Sequence, residues 1–231
     1  MKLVILAGGL GTRLSEETQK IPKPMVKIGK LPIIQHIINY YEKFDVTEVI
    51  ICAGYKKEII KKYFAKHKLI KVCDTGLKTQ SGSRLLRIKK HLENDENFFM
   101  TYGDGLSNIN IKKLMNFHIK NKKIATLSAV RPMPRFGHLT IKKNLVVKFK
   151  EKDILSEGWI NGGFFVLNKN IFQYLDDKKN CIFEREPLVN LAKDKQLMAF
   201  KHNNFWHPMD TLRDKNYLNN LIIKRNAPWL Q

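Results

Sequence analysis

The apolar run Leu3-Val4-Ile5-Leu6-Ala7 leads straight into Gly8-Gly9-Leu10-Gly11-Thr12-Arg13-Leu14, and Pro22-Lys23-Pro24-Met25 follows within one further loop. A short apolar run that ends in glycines reads as a buried strand. Three glycines in four residues permit positive φ and close backbone approach, so successive N–H groups can face an anion with no Cβ in the way. Arg13 and Lys23 add two cations to the same neighbourhood, which gives the outline of a phosphate cradle built from Leu6, Gly8, Gly9, Gly11, Thr12, Arg13 and Lys23.

Three other readings compete for this segment. A dinucleotide-binding turn places G-x-G-x-x-G directly before a helix, with an acidic residue about 20 positions on. Here the pattern is G-G-x-G-T-R, and Pro22 and Pro24 interrupt the stretch where that helix would run. A P-loop needs G-x-x-x-x-G-K-[ST], and no Lys follows Gly11. The glycines could also make only a tight turn after an edge strand, a reading that Arg13 and Lys23 weaken.

The rest of the chain alternates apolar runs with amphipathic stretches, the pattern of a parallel sheet with helices on its faces. Strands are expected at 3–7, 48–53, 70–73, 98–102 and 124–130, and helices at 32–44, 57–67, 83–92 and 111–120. Ile33, Ile34, Ile37, Ile38 and Tyr41 recur at spacings that give one buried helix face. The second half changes character: 138–141 and 146–150 alternate around Lys143-Asn144 as an antiparallel hairpin, 159–167 and 197–200 read as further strands, and helices are expected at 186–193 and 211–225. The fold class is therefore α/β, a Rossmann-like, mostly parallel mixed sheet flanked by helices with a smaller antiparallel portion in the second half. No Gly-, Pro- or Ser-rich linker divides the chain. Residues 1–231 read as one domain, with a nucleotide half to about 130 and an acceptor half from about 131.

The net charge of +21 comes from 42 Lys and Arg against 21 Asp and Glu. A nucleic-acid surface clusters its basic residues on one face, whereas these lysines recur as scattered pairs such as Lys56-Lys57, Lys89-Lys90 and Lys142-Lys143. A solvated surface that attracts small anionic substrates is the better reading. No apolar run is long enough to span a membrane, and the opening apolar run is too short for a secretory signal, so a cytoplasmic location is expected. Cys52, Cys73 and Cys181 have no C-x-x-C spacing and read as reduced thiols.

Residues 3–14 with Pro22-Lys23-Pro24-Met25 resemble the signature of the sugar-phosphate nucleotidyltransferases. The likeness continues through Thr101-Tyr102-Gly103-Asp104-Gly105, Arg135-Phe136-Gly137, Glu151-Lys152, Ile160-Asn161-Gly162-Gly163 and Met209-Asp210-Thr211. It looks most like the glucose-1-phosphate cytidylyltransferase branch. The resemblance implies transfer of a nucleotidyl group from a nucleoside triphosphate, CTP, to the phosphate of a sugar-1-phosphate, with release of pyrophosphate. It also implies a homo-oligomer, no nucleic-acid or membrane partner, and Mg²⁺ held by Asp104 and Asp210. Asp210 also reads on its own as a helix N-cap. Arg13 and Lys23 would be the catalytic cations on the triphosphate, and Gly103 would flank the metal. Glu151, Lys152, Asn161 and Gly137 would serve the sugar phosphate, with His138 beside them. In Ser81-Gly82-Ser83-Arg84, Gly82 and Arg84 are the candidate readers of the cytosine edge, and Ser83 stands where the branch carries glycine. Within the class, dTTP, UTP or a non-sugar phosphate acceptor are the alternatives. The chain also joins the elements expected at 57–67 and 70–73 directly, where the branch carries an extra segment.

Overall fold

The computed structural model describes residues 1–133, 137–150, 158–176 and 180–231. Along the chain run β1 (Lys2–Ala7), α1 (Ser15–Thr18), β2 (Lys27–Ile28), β3 (Leu31–Pro32), α2 (Ile33–Glu42), β4 (Glu48–Ala53), α3 (Lys57–Phe64), β5 (Ile70–Asp74) and α4 (Ser81–Arg87). Next come β6 (Asn97–Tyr102), β7 (Gly105–Ser107), α5 (Ile111–Asn121), β8 (Ala125–Val130), β9 (His138–Lys142), β10 (Leu145–Lys150) and β11 (Ile160–Asn168). α6 (Glu186–Lys193), β12 (Leu197–His202), β13 (Trp206–Pro208) and α7 (Leu212–Ile223) complete the described elements.

The apolar runs read as buried strands do form the centre of a seven-stranded sheet, in the order β12-β8-β11-β6-β1-β4-β5. Side chains alternate across a strand, so β1 feeds two cores. Leu3, Ile5 and Ala7 pack with α2, α3, α5 and α7 on one face, while Val4 and Leu6 join Leu85 of α4 and Leu191 of α6 on the other. Burial on both faces explains why these strands are nearly continuous apolar runs. On α2, Ile33, Ile34, Ile37, Ile38 and Tyr41 are all buried, as their spacing requires.

Strand direction decides where chemistry can sit. β4 and β6 flank β1 in parallel, β5 runs parallel to β4, and β11 is antiparallel to both β6 and β8. The carboxyl ends of β1, β4, β5 and β6 and the amino end of β11 therefore share one edge, the edge where open α/β sheets bind ligands.

Two outcomes depart from the sequence reading, and a third agrees with it. The helix expected at 83–92 begins at Ser81, ends at Arg87 and passes into a 3₁₀ turn, Lys89–His91. The short strands β2, β3, β7 and β13 were not foreseen, because two or three residues show no period. The hairpin at 138–150 forms as expected, with both Lys143 and Asn144 at positive φ, the conformation of a two-residue type I′ turn.

Three histidines are buried, and burial holds each below its ordinary pKa: His36, His202, and His118, which is lowered to about 4. His36 Nδ1 accepts from the Trp229 indole at 3.3 Å, which leaves Nε2–H to donate to the Ile28 carbonyl at 2.8 Å. A histidine held neutral in the fold but free to protonate near its unfolded pKa of about 6.5 destabilises the fold as pH drops through that value. The cost is at most about 1.4 kcal/mol per pH unit for each site. For His118 the window runs from about 6.5 down to about 4. Thermal melts should therefore show Tm falling between pH 7 and pH 5; a level Tm across that interval would show that these histidines do not control acid stability.

Candidate active site

The glycine loop opens at the end of β1, and its glycines do different work. Gly11 has φ +69° and lies against Thr18 and Lys23, so it alone of the three needs the left-handed conformation. A Cβ at Gly9 would meet nothing within 4 Å, which leaves that backbone open to a ligand. Gly8 makes room for an arginine, because a Cβ there would fall on the Arg84 guanidinium.

Lys23 sits in a 3₁₀ turn between Pro22 and Pro24, and its side chain is only 9% exposed. Its Nζ donates to Asp104 Oδ2 and to Asp210 Oδ1, both at 2.7 Å. Arg13 Nη1 donates to Asp210 Oδ2 at 2.7 Å. Burial by itself would lower the Lys23 pKa, but the two carboxylates outweigh it and hold the ammonium above its ordinary value.

A small ribbon brings these distant carboxylates together. β7 pairs antiparallel with β13, Gly105 opposite Pro208, and the Met209 N–H donates to the Asp104 carbonyl at 2.8 Å. Asp104 precedes one strand of this ribbon and Asp210 follows the other. The N-cap of α7 is Thr211, which forms a capping box with Asp214. Asp214 Oδ2 also accepts from the Asp210 N–H at 3.1 Å. Asp210 is thus held by its backbone while its carboxylate is spent on the two cations, which excludes the N-cap alternative.

The resulting cleft has a volume of about 530 Å³ and is walled by the glycine loop, Pro24, Tyr102, Asn161, Trp206 and Asp210. Asn161 Oδ1 accepts from the Gly163 N–H at 2.8 Å, and its Nδ2 lies 3.5 Å from the Tyr102 hydroxyl. Tyr102 donates to Glu184 Oε1 at 2.5 Å, and burial followed by Glu184 raises its pKa. A larger hollow of about 640 Å³ lies at the opposite sheet edge, around Glu96, Asn97, His118 and Lys122, but it carries charges of both signs and no glycine loop.

The structure therefore brings together Leu6, Gly9, Gly11, Thr12, Arg13, Lys23, Gly103, Asp104, Asn161 and Asp210 around one cleft. Gly137 and the exposed His138, at the start of β9, do not line it. Glu151 and Lys152 lie outside the described residues. Tyr102, Trp206 and Pro208 were not anticipated as lining; Tyr102 and Pro208 stand two residues from the two aspartates, which was a usable signal.

Arg84 departs from the expectation for base reading. Arg84 is 4% exposed. Its guanidinium donates to the carbonyls of Gly8 at 2.9 Å, Gly76 at 2.8 Å, Ala53 at 3.3 Å and Leu77 at 3.3 Å, and to Thr75 Oγ1 at 2.7 Å. Gly54 also crowds it, so glycines after β1 and β4 clear the space the guanidinium fills. Gly82 faces Cys181, where a Cβ would lie 2.8 Å from the sulfur. Ser83 points the same way, its Oγ accepting from the Cys181 N–H at 2.8 Å, so its Cβ does not crowd a base. Arg84 fastens the floor under the glycine loop. Arg84→Met strands several buried acceptors and should cost on the order of 3 kcal/mol in urea denaturation. It should also raise the KM for nucleotide through the slackened loop; wild-type values of both would remove this role.

A family model described as Nucleotidyl transferase matches residues 2–214. The chain is 44% identical, over 99% of its length and 98% of the relative's, to a glucose-1-phosphate cytidylyltransferase of Salmonella typhimurium. It is 39% identical, over 99% of both, to a probable glucose-1-phosphate cytidylyltransferase of Bacillus subtilis. The match to the Salmonella relative spans 254 positions against 231 residues here, so that relative carries at least 23 residues that this chain lacks. In this chain only residues 65–69 join α3 to β5. Among solved structures, a putative glucose-1-phosphate thymidylyltransferase from Bacillus anthracis shares the fold, with a TM-score of 0.76 at 19% identity over 96% of this chain and 94% of that one. The cleft with its glycine loop, its two cations and its paired aspartates, taken with these matches, places the chain in the nucleotidyl transferase family.

Proposed function

We propose that this protein transfers a cytidylyl group from CTP to glucose-1-phosphate, releasing pyrophosphate and forming CDP-glucose. The observation that carries the reading is the convergence of Lys23 and Arg13 on Asp104 and Asp210 beside the open backbone of Gly9. The identity with the two cytidylyltransferases supports the choice of base and sugar. No helix among the described residues is long and apolar enough to cross a membrane; the reading takes the enzyme to be cytoplasmic and homo-oligomeric.

In this reaction an oxygen of the sugar phosphate attacks the α-phosphorus, and the bond from that phosphorus to the pyrophosphate oxygen breaks. The nucleophile is already ionised, so the protein's work is to align two anions and neutralise their charge. The glycine loop receives the triphosphate on its N–H groups. Arg13 and Lys23 place positive charge on the phosphate chain, with Lys23 at the α-phosphate, where charge develops. Pro22 and Pro24 aim Lys23, since each ring restricts its own backbone. Asn161, anchored by the Gly163 N–H, faces the sugar, and Glu151 and Lys152 serve its hydroxyls and phosphate.

Asp104 and Asp210 fit Mg²⁺ as a donor set, because two carboxylates from separate segments already converge on one cation and offer the hard oxygen ligands it requires. When bound there, the ion would neutralise phosphate charge and orient the α-phosphoryl group.

Pyrophosphate release across the four nucleoside triphosphates and a panel of phosphate monoesters tests base and acceptor together. CTP with glucose-1-phosphate should give the highest kcat/KM; a higher value for another pair would overturn the assignment. Asp104→Asn should lower kcat by at least about a hundredfold, a loss typical of removing one transition-state electrostatic partner, with Tm close to wild type. Near-normal turnover in that variant would remove Asp104 from the machinery.

A further inference from the structure

The four carboxylate oxygens of Asp104 and Asp210 are unevenly occupied. Both Asp210 oxygens hold a cation, Oδ1 the Lys23 ammonium and Oδ2 the Arg13 guanidinium, each at 2.7 Å. Asp104 Oδ2 holds the same ammonium at 2.7 Å. A divalent cation arriving at this pair finds no unshared oxygen on Asp210. It would meet a buried ammonium already bonded to both of its carboxylates, and like charges at that range repel strongly in a partly desolvated site.

Lys23 is also poorly placed to leave unaided. Its side chain is 9% exposed, its backbone is set between two prolines, and Pro24 packs against Gly103, where a Cβ would lie 3.1 Å from the proline Cγ. The glycine-loop backbone beside it offers a second anion site, to which a triphosphate can draw both Lys23 and Arg13.

Resting on the assignment of Asp104 and Asp210 as divalent-cation ligands, we propose that in the nucleotide-free enzyme the Lys23 ammonium occupies the place of that cation. Metal and ammonium then exclude one another on these carboxylates. Triphosphate binding, by drawing the ammonium and the guanidinium away, opens the carboxylates to the metal. Lys23 thus has two stations, one between the aspartates and one on the nucleotide. The free enzyme avoids two uncompensated, adjacent carboxylates without holding a metal in advance.

Mn²⁺ binding to nucleotide-free protein, read by the EPR signal of free Mn²⁺, tests this without turnover. Lys23→Met keeps the length of the side chain and removes its charge, and it should bind Mn²⁺ at least tenfold more tightly than wild type. Adding Asp104→Asn to that variant should abolish the gain. In parallel, Mn²⁺ should raise the Tm of Lys23→Met and leave that of wild type unchanged, and Lys23→Gln should repeat both results. Wild type binding Mn²⁺ as tightly as Lys23→Met, or neither binding it, overturns the exclusion; tight wild-type binding lost on Asp104→Asn would keep the carboxylates as a metal site while refuting the place-holding role. A gain in Lys23→Met that survives Asp104→Asn puts the metal elsewhere and overturns the ligand assignment as well.

Discussion

The ends of β1, β4 and β5 meet on one guanidinium. Arg84 reaches the carbonyls of Gly8, Ala53 and Gly76, and no carboxylate among the described residues lies within ion-pair distance of it. A buried cation without an anion is costly, and this one is tolerated because five oxygens surround it. The arrangement requires glycine at 8 and at 54, since a side chain at either position would collide with the arginine. The phosphate loop therefore rests on a rigid floor, and its shape belongs to the packing of three strands as much as to its own glycines.

Above that floor, charge is balanced across segments far apart in the chain. Asp104 and Asp210 approach because β7 and β13 pair, and the pairing is stitched onward by the Met209 N–H to the Asp104 carbonyl. Lys23 then bridges the carboxylates from a third segment. Asp214, through its bonds to the Asp210 and Thr211 N–H groups, ties this centre to the start of α7. The site is thus a junction of the sheet edge, a two-stranded ribbon and a helix start, and each contributes what the others lack: donors, spacing and capping.

Much of the fold was legible because periodicity is a local property. The strands at 3–7 and 48–53 stood out as apolar runs, and the hairpin at 138–150 as alternation around Lys143-Asn144. The two- and three-residue strands carried no period and were invisible, although one of those pairs builds the site. The aspartates were named through resemblance rather than spacing, since nothing local distinguishes Asp210 from an N-cap until Thr211 is seen to hold that role. Arg84 was likewise named through the resemblance, and only the strand ends around it show that its donors are already used. Glu184, which accepts from Tyr102 and Ser81, carried no motif at all.

By itself the sequence determined the alternation of strands and helices, the glycine loop with its flanking cations, and a kinship extending over nearly the whole chain. Apolar patterning and backbone chemistry act over a few residues and so can be read in order. Only the tertiary structure decided that Lys23 lies between Asp104 and Asp210, that Arg84 supports the loop instead of facing a ligand, and that Ser83 turns toward Cys181. Those outcomes depend on which charges and carbonyls become neighbours once strands align, and electrostatic pairing at 2.7 Å has no counterpart in sequence distance.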